Sequence, residues 1–454
     1  MSLLPLPVRA AATSTFRSLR VRNFRLFWIG QMVSVSGTWM QSVAQNWLVL
    51  SMTGSGVALG VTVALQFLPM LLFGMWGGLV ADRFDKRRIL VVTQVVPMVL
   101  ALVMFVLVAT GAVALWMVYA LALLLGLVFM VDMPTRQSFV VELVGPDEVA
   151  NAVGLNSAMF NTGRVVGPAL AGVLIATVGT ASTFLLNALS YVAVMAALAA
   201  MRPAELFPQV RAERARGAIR AGLRYVWTTP ALRSTLVLVA VVGTFGMNFG
   251  VVLPILARYT FDGGAPLYGW LTSLMSLGSL LGALTAAGRV GPTRTMLIGA
   301  GAAFGALTLL AAVAPSPVLV GAALVAVGVA IMLFLATANT TLQLACAPAM
   351  RGRVMALYGL VFLGSTPLGG PLLGWISGHW GGRWGLAVSG AVSLAAALAA
   401  AAPPVARRWR AARAGGSGGA GVGDGAAGGQ EGSPPAVLLE PTVAGTAEPG
   451  PPAG

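Results

Sequence analysis

The run Gly77-Gly78-Leu79-Val80-Ala81-Asp82-Arg83-Phe84-Asp85-Lys86-Arg87-Arg88-Ile89-Leu90 decides how this 454-residue chain is read. It packs six charges into a few residues of a protein in which only 9% of residues are charged. Before it, residues 57–81 form one long apolar run, and after it residues 89–110 form another. About 20 apolar residues are enough to cross the hydrocarbon core of a bilayer as a helix. The run is therefore a turn between two membrane spans, and its four bases place it on the cytoplasmic side.

Composition says the same of the whole chain. Hydrophobic residues make up 57% and the mean hydropathy is +0.87, well above a soluble globular average. The net charge of +15 would suit nucleic acid, but the positions of the bases argue against such a partner. Of the 28 Lys and Arg, only Arg258 and Arg383 fall in loops placed outside, and Arg164 falls within a span. The others lie in the N-terminal leader, in alternate loops or their flanks, or beyond the last span. This bias predicts a multi-pass protein of the bacterial cytoplasmic membrane with both termini inside. One cysteine, Cys346, and one histidine, His379, exclude an internal disulfide and a Cys/His metal cluster. No cofactor is expected, and no cleavable signal peptide, since the first apolar run is too long.

The pattern of apolar runs predicts an all-α integral membrane protein. Residues 1–26 form a cytoplasmic leader and 27–201 a bundle of six spans. Residues 202–233 form an Arg-rich linker, 234–404 six more spans, and 405–454 a disordered cytoplasmic tail rich in Gly, Ala and Pro. Within the linker, Arg216, Arg220 and Arg224 repeat every fourth residue while Ile219, Leu223 and Trp227 fall on another face. That spacing describes a helix lying on the inner membrane surface or a solvated connector. The two sets of spans share landmarks at one nearly constant spacing: Gly78 with Gly282, Pro146 with Pro348, and Gly167-Pro168 with Gly370-Pro371. Arg289 and Arg294 remain where the second copy of the charged turn would be, without its acid. A duplicated six-span unit suits a transporter whose two parts rock about a central site.

The charged turn resembles the loop motif between the second and third helices of the major facilitator superfamily. Gly78, Asp82, Arg83, Lys86, Arg87 and Leu90 match it, and Asp85 departs from the usual glycine. The resemblance implies two pseudo-symmetric six-helix bundles with twelve transmembrane helices, and a conformational-switch role for the matched charges. In the fifth span, Gly163, Gly167, Pro168 and Gly172 resemble the superfamily's antiporter motif, which implies export. Small residues there offer a smooth face for packing against the other half, and Pro168 permits a bend; packing of an Ala- and Gly-rich chain is the plainer account. The stretch from Asp132-Met133-Pro134-Thr135-Arg136-Gln137 through Asn151 and Asn156 is similar to the enterobactin-exporter and drug-efflux (secretion effector) branch, over residues 16–403.

Two charges stand inside spans: the acid Asp132 and the base Arg164. Charges at such depth are rare, paired or functional. Spans four and five form a hairpin about Pro146, so the two residues fall at equal depth and are expected to pair, directly or through water. The pair either fixes the hairpin or opens when Asp132 takes up a proton. The resemblance further implies that spans one, four, seven and ten line a central cavity. Gln31, Ser34, Thr38, Gln41 and Gln45 share one face of span one, and Asn248 and Asn339 offer amides from spans seven and ten. They are candidates for substrate contact or for hydrogen bonds between helices.

The sequence thus predicts a monomeric secondary transporter in the bilayer. It exports a small amphipathic compound, such as a drug, siderophore or other metabolite, by alternating access in exchange for protons. An uptake carrier or facilitator of the same fold and a non-transporting membrane sensor or receptor are the alternatives. A phosphate-cradling Gly-x-x-x-x-Gly-Lys motif is missing, since Lys86 is the sole lysine, and no nucleophile–base pair suggests an enzyme.

Overall fold

The computed structural model describes residues 16–207, 218–287, 291 and 293–401. The start of the leader, Arg216, Arg289 and the predicted tail lie outside the described residues. Every regular element within them is a helix, as expected of chain passing through lipid, where each backbone group must find its partner within its own segment.

Among the described residues, twelve long helical segments follow one another. The first six are Arg22–Thr53, Gly56–Arg83, Lys86–Ala109, Leu115–Val144, Val149–Thr177 and Thr180–Ala200. The last six are Pro230–Thr260, Ala265–Ala287, Arg294–Val313, Pro317–Ala345, Arg351–Trp380 and Gly382–Ala401. Among the described residues, 11 are apolar and long enough to cross a membrane on composition alone. The remaining one is span one. Its 32 residues are ample, but Gln31, Ser34, Gln41, Gln45 and Asn46 lower its hydropathy, and all five are buried inside the bundle.

Local chemistry sets the helix ends. Asp85, which departs from the family glycine, caps span three by accepting a hydrogen bond from the Arg88 N–H at 2.8 Å. Ser55, Thr293 and Ser316 cap spans two, nine and ten in the same way. Gly54 ends span one with φ +62°, a left-handed turn that favours glycine. Asn23 bonds both backbone groups of Arg202 at 2.9 and 3.0 Å, which ties the start of span one to the end of span six.

Span seven is the least regular. Wider π-helical turns at Val242–Gly246 and Leu256–Thr260 flank the short α-helix Phe249–Ile255, which contains Pro254. Such turns bend a helix and often sit at functional sites.

The first and last six spans meet along two matched seams. On span eight, Gly269 approaches the Pro168 carbonyl of span five so closely that no methyl group would fit, and Gly172 lies against Pro266. On the other seam, Gly56 and Gly60 of span two meet Gly374 and Gly370 of span eleven in the same manner. Small residues let helix backbones touch where lipid offers no hydrophobic drive for association. Beside these seams, at the end away from the charged turn, polar ties run between the two sets. The Asn46 amide donates to the Gly250 carbonyl at 3.1 Å and to the Tyr268 hydroxyl at 3.2 Å. Arg258 donates to the Leu50 carbonyl at 3.2 Å.

The predicted linker helix exists as Ala218–Thr228. Gly222 and the buried Val226 pack toward the start of span eleven, near Arg353 and Leu357. Leu223 and Trp227 stay exposed on the other side.

Candidate functional site

Asp132 lies on span four, one turn before Arg136, and is 5% exposed. Each of its oxygens has two donors. The Thr93 hydroxyl at 2.6 Å and the Gln94 amide at 3.2 Å, both on span three, reach Oδ1. Arg136 reaches Oδ2 through Nε at 3.1 Å and Nη2 at 2.5 Å. The remaining terminal nitrogen of Arg136 donates to the Gln31 side-chain carbonyl on span one. One guanidinium therefore joins the sole carboxylate of this cluster to a neighbouring helix.

Asp132 and Arg164 form no direct ion pair. Asp132 is satisfied by Arg136, a neighbour at i+4 on its own helix. Arg164 instead lies over the Trp39 ring of span one at 5.5 Å, and Trp39 meets Phe160 edge-on at 5.8 Å. Equal depth along a hairpin fixes height but not the direction a side chain takes around its helix. Reading charges by depth misses Arg136, which sits nearer the helix end. Its signal is nonetheless in the stretch Asp132 to Gln137, as an acid and a base one turn apart. Thr93 and Gln94 carry no local mark at all.

The polar face of span one turns mainly into its own bundle. Gln41 accepts from the Asn187 amide of span six at 2.6 Å. Gln31, Ser34 and Gln45 are buried, and half-buried Thr38 bonds the Ser34 carbonyl at 2.9 Å. Asn248 is buried, with its amide on the Thr244 carbonyl at 2.8 Å. Half-buried Asn339 accepts from Gln343 at 2.5 Å. Three buried amides keep an atom without a partner: Gln31 Nε2, Gln94 Oε1 and Asn248 Oδ1.

The bases of the charged turn staple the first six spans together. Lys86 pairs with Glu142 at the end of span four. Arg87 donates twice to the Leu198 carbonyl, at 3.0 and 2.7 Å, in the last turn of span six. A cation there also meets the negative end of the helix dipole. Asp82 is half-buried in the last turn of span two, and Arg83 is exposed. Beside the turn, Gly77 presses on the Met130 carbonyl of span four.

The glycines of span five divide between two neighbours, although their spacing suggests one face turned to the other half. Gly163 and Gly167 pack on Val35, Ser36 and Trp39 of span one, within the same set of six. Only the flank carrying Pro168 and Gly172 reaches span eight, where Ser273 also donates to the Val165 carbonyl at 2.8 Å. A four-residue step returns to nearly the same helix face, whereas Gly172 lies five residues beyond Gly167, so it comes round to the other flank. Among the described residues, no group of three or more His, Cys, Asp or Glu is placed to hold a metal.

Comparison with known proteins agrees with this architecture. The model of the family described as transmembrane secretion effector matches residues 13–414. Relatives include the staphyloferrin A transporter of Staphylococcus aureus, 26% identical over 55% of this chain and 62% of the relative. The multidrug efflux pump Tap of Mycolicibacterium fortuitum is 30% identical over 55% and 63%. The enterobactin exporter EntS of Salmonella typhi is 25% identical over 61% and 66%. The chain thus spans just under two thirds of the length of each of these relatives. Among solved structures, a bacterial homologue of the lysosomal transporter Spinster, inward-facing, superposes with TM-score 0.66 at 13% identity, covering 83% of this chain and 94% of that one. The nucleoside transporter NupG gives 0.67 at 12%, covering 84% and 98%. At such identities the likeness concerns the fold.

Proposed function

The chain belongs to the transmembrane secretion effector family, and on that premise we propose that it exports a small amphipathic compound by alternating access, driven by protons moving inward. The observation that carries this reading is the arrangement of ties between the two sets of spans. Asn46 and Arg258 close one end of the bundle, beside two glycine seams about which rigid halves can rock. Residues 27–201 and 234–404 are the two moving bundles, and 202–233 links them. With the charged turn inside, along with both termini, the closed end faces outward. The relatives named as exporters and efflux pumps support that direction.

Proton coupling is assigned to Asp132. Thr93 can donate to Asp132, and its hydroxyl also lies 3.2 Å from the Leu90 carbonyl. When a proton arrives on Oδ1, Thr93 turns its own hydrogen to Leu90 and accepts the new one. Oδ1 stays bonded, while the charge that held Arg136 is gone. Arg136, still bonded to Gln31, is then free to follow span one. The charges of the turn, Asp82, Arg83, Lys86 and Arg87, hold the cytoplasmic ends in register during the switch.

Cells carrying and lacking the protein should be loaded with a panel of amphipathic compounds and followed for retention. Extrusion is expected only with the protein, collapsing on addition of a protonophore. In Asp132→Asn, residual extrusion is expected to ignore external pH. Equal retention in both strains removes the export reading, and pH-dependent extrusion by Asp132→Asn removes Asp132 as the proton carrier.

A further inference from the structure

Arg164 is an uncommon object: a cation inside a membrane span with no acid beside it among the described residues. Arg17, Lys86, Arg136 and Arg202 pair with Glu148, Glu142, Asp132 and Glu205. Both oxygens of Asp132 are taken by donors from spans three and four. The structure gives Arg164 one partner, the face of Trp39. A cation–π contact occupies one face of the planar guanidinium and leaves its in-plane N–H donors free.

The position of Arg164 around span five shows where those donors are. Gly163 and Gly167 define the side toward span one, while Val165, Pro168 and Gly172 define the side toward span eight. At 100° per residue, Arg164 falls between them, on the flank shared with Phe160, Asn161 and Ser157. The opposite flank carries Val166, Leu170 and Val173, all exposed and apolar, and so suited to lipid. Arg164 therefore faces the protein side, where spans one and eight converge, and it remains half-buried. An uncompensated charge at that depth is expensive, and an indole supplies only part of what water would.

We infer that Arg164, with the aromatic wall of Trp39 and Phe160, is a substrate-binding site that selects compounds bearing an oxyanion on an aromatic or apolar body. This rests on the export reading and names its substrate class. The planar fork matches carboxylate, phenolate or sulfonate oxygens, which supply the missing counter-charge. The two rings receive the apolar body. A cationic drug would meet like charge at this point, and Asp132 has no free oxygen to offer it.

The test is equilibrium binding of three radiolabelled probes sharing one ring system to the purified full chain in detergent: 1-naphthoate, 1-naphthamide and 1-naphthylmethylammonium. Naphthoate is expected to bind about tenfold tighter than the amide, in line with a charge-assisted hydrogen bond, and the ammonium weakest. Arg164→Gln should bring naphthoate down to the amide's affinity, Arg164→Lys should keep part of the preference, and Trp39→Leu should weaken naphthoate and naphthamide together. No anion preference in the unmodified protein, or a preference that survives Arg164→Gln, overturns the assignment. The probe series on the unmodified chain tests the anion preference even if a variant does not fold. Anion preference without extrusion from cells would remove the export reading and leave the anion site standing.

Discussion

Arg136 and Arg164 lie in adjacent spans of the same bundle, and the protein treats the two charges in opposite ways. Arg136 is locked between Asp132 and Gln31, so its charge is cancelled within the fold. Arg164 rests on an indole with its charge unanswered by any carboxylate among the described residues. The difference teaches that a charge inside a membrane protein has two stable solutions. One is an internal partner, which makes the residue part of the scaffold or of its proton control. The other is a polarisable surface, which on the site proposed above makes it a receptor for an incoming anion.

The comparison is broken most directly by removing each arginine in turn. Arg136→Met leaves Asp132 buried and unpaired, and a loss of about 3–5 kcal/mol is expected, as for breaking other buried ion pairs. Arg164→Met should cost under about 1 kcal/mol, the value of a partly exposed cation–π contact. Thermal unfolding of both variants in one detergent checks the contrast, and equal losses would erase it.

A double-mutant cycle sharpens the first half of the contrast. Asp132→Asn alone should destabilise by roughly 1.5–3 kcal/mol, the range for hydrogen bonds to a charged group. Combined with Arg136→Met it should lose much less than the sum of the two single variants, because neither charge is then stranded. Additive losses would mean that the two residues act separately.

The glycines under Trp39 give a third handle. A Cβ at Gly167 would press on the Trp39 Cβ at 2.7 Å and on the Ser36 carbonyl at 2.7 Å. Gly167→Val is therefore expected to cost about 1–3 kcal/mol by overpacking, and to lower naphthoate affinity by displacing the ring beneath Arg164. Trp39→Leu removes the ring under Arg164 together with its edge-on contact to Phe160, and is expected to cost about 0.5–2 kcal/mol of folding stability. A loss as large as that of Arg136→Met would place Trp39 in the scaffold rather than the receptor.

Much of the molecule could be read from the residues in order. The charged turn, the run of spans and the depth of Asp132 all follow from where apolar stretches begin and end. Asp85, a departure from the family pattern, is an oddity in the sequence and becomes a helix cap in the structure. Lys86 and Arg87 are legible as bases of a charged turn, but not as staples to Glu142 and the Leu198 carbonyl, residues far along the chain. The span-one glutamines were legible as one polar face. Which way that face turned was not, because a helix in lipid can be rotated about its axis without altering its hydropathy.

What the sequence determined by itself was the number of crossings and the chemistry that each one carries. Hydrocarbon forces every backbone group to bond within its own segment, so a long apolar run can hardly be anything but a helix. What only the tertiary structure decided was which side chains meet. Asp132 finds Arg136, Thr93 and Gln94, and Arg164 finds Trp39, through the rotation and register of helices packed from distant parts of the chain. Those angles are set by glycine contacts such as Gly167 on Ser36 and Gly269 on Pro168, whose pairing no local pattern encodes.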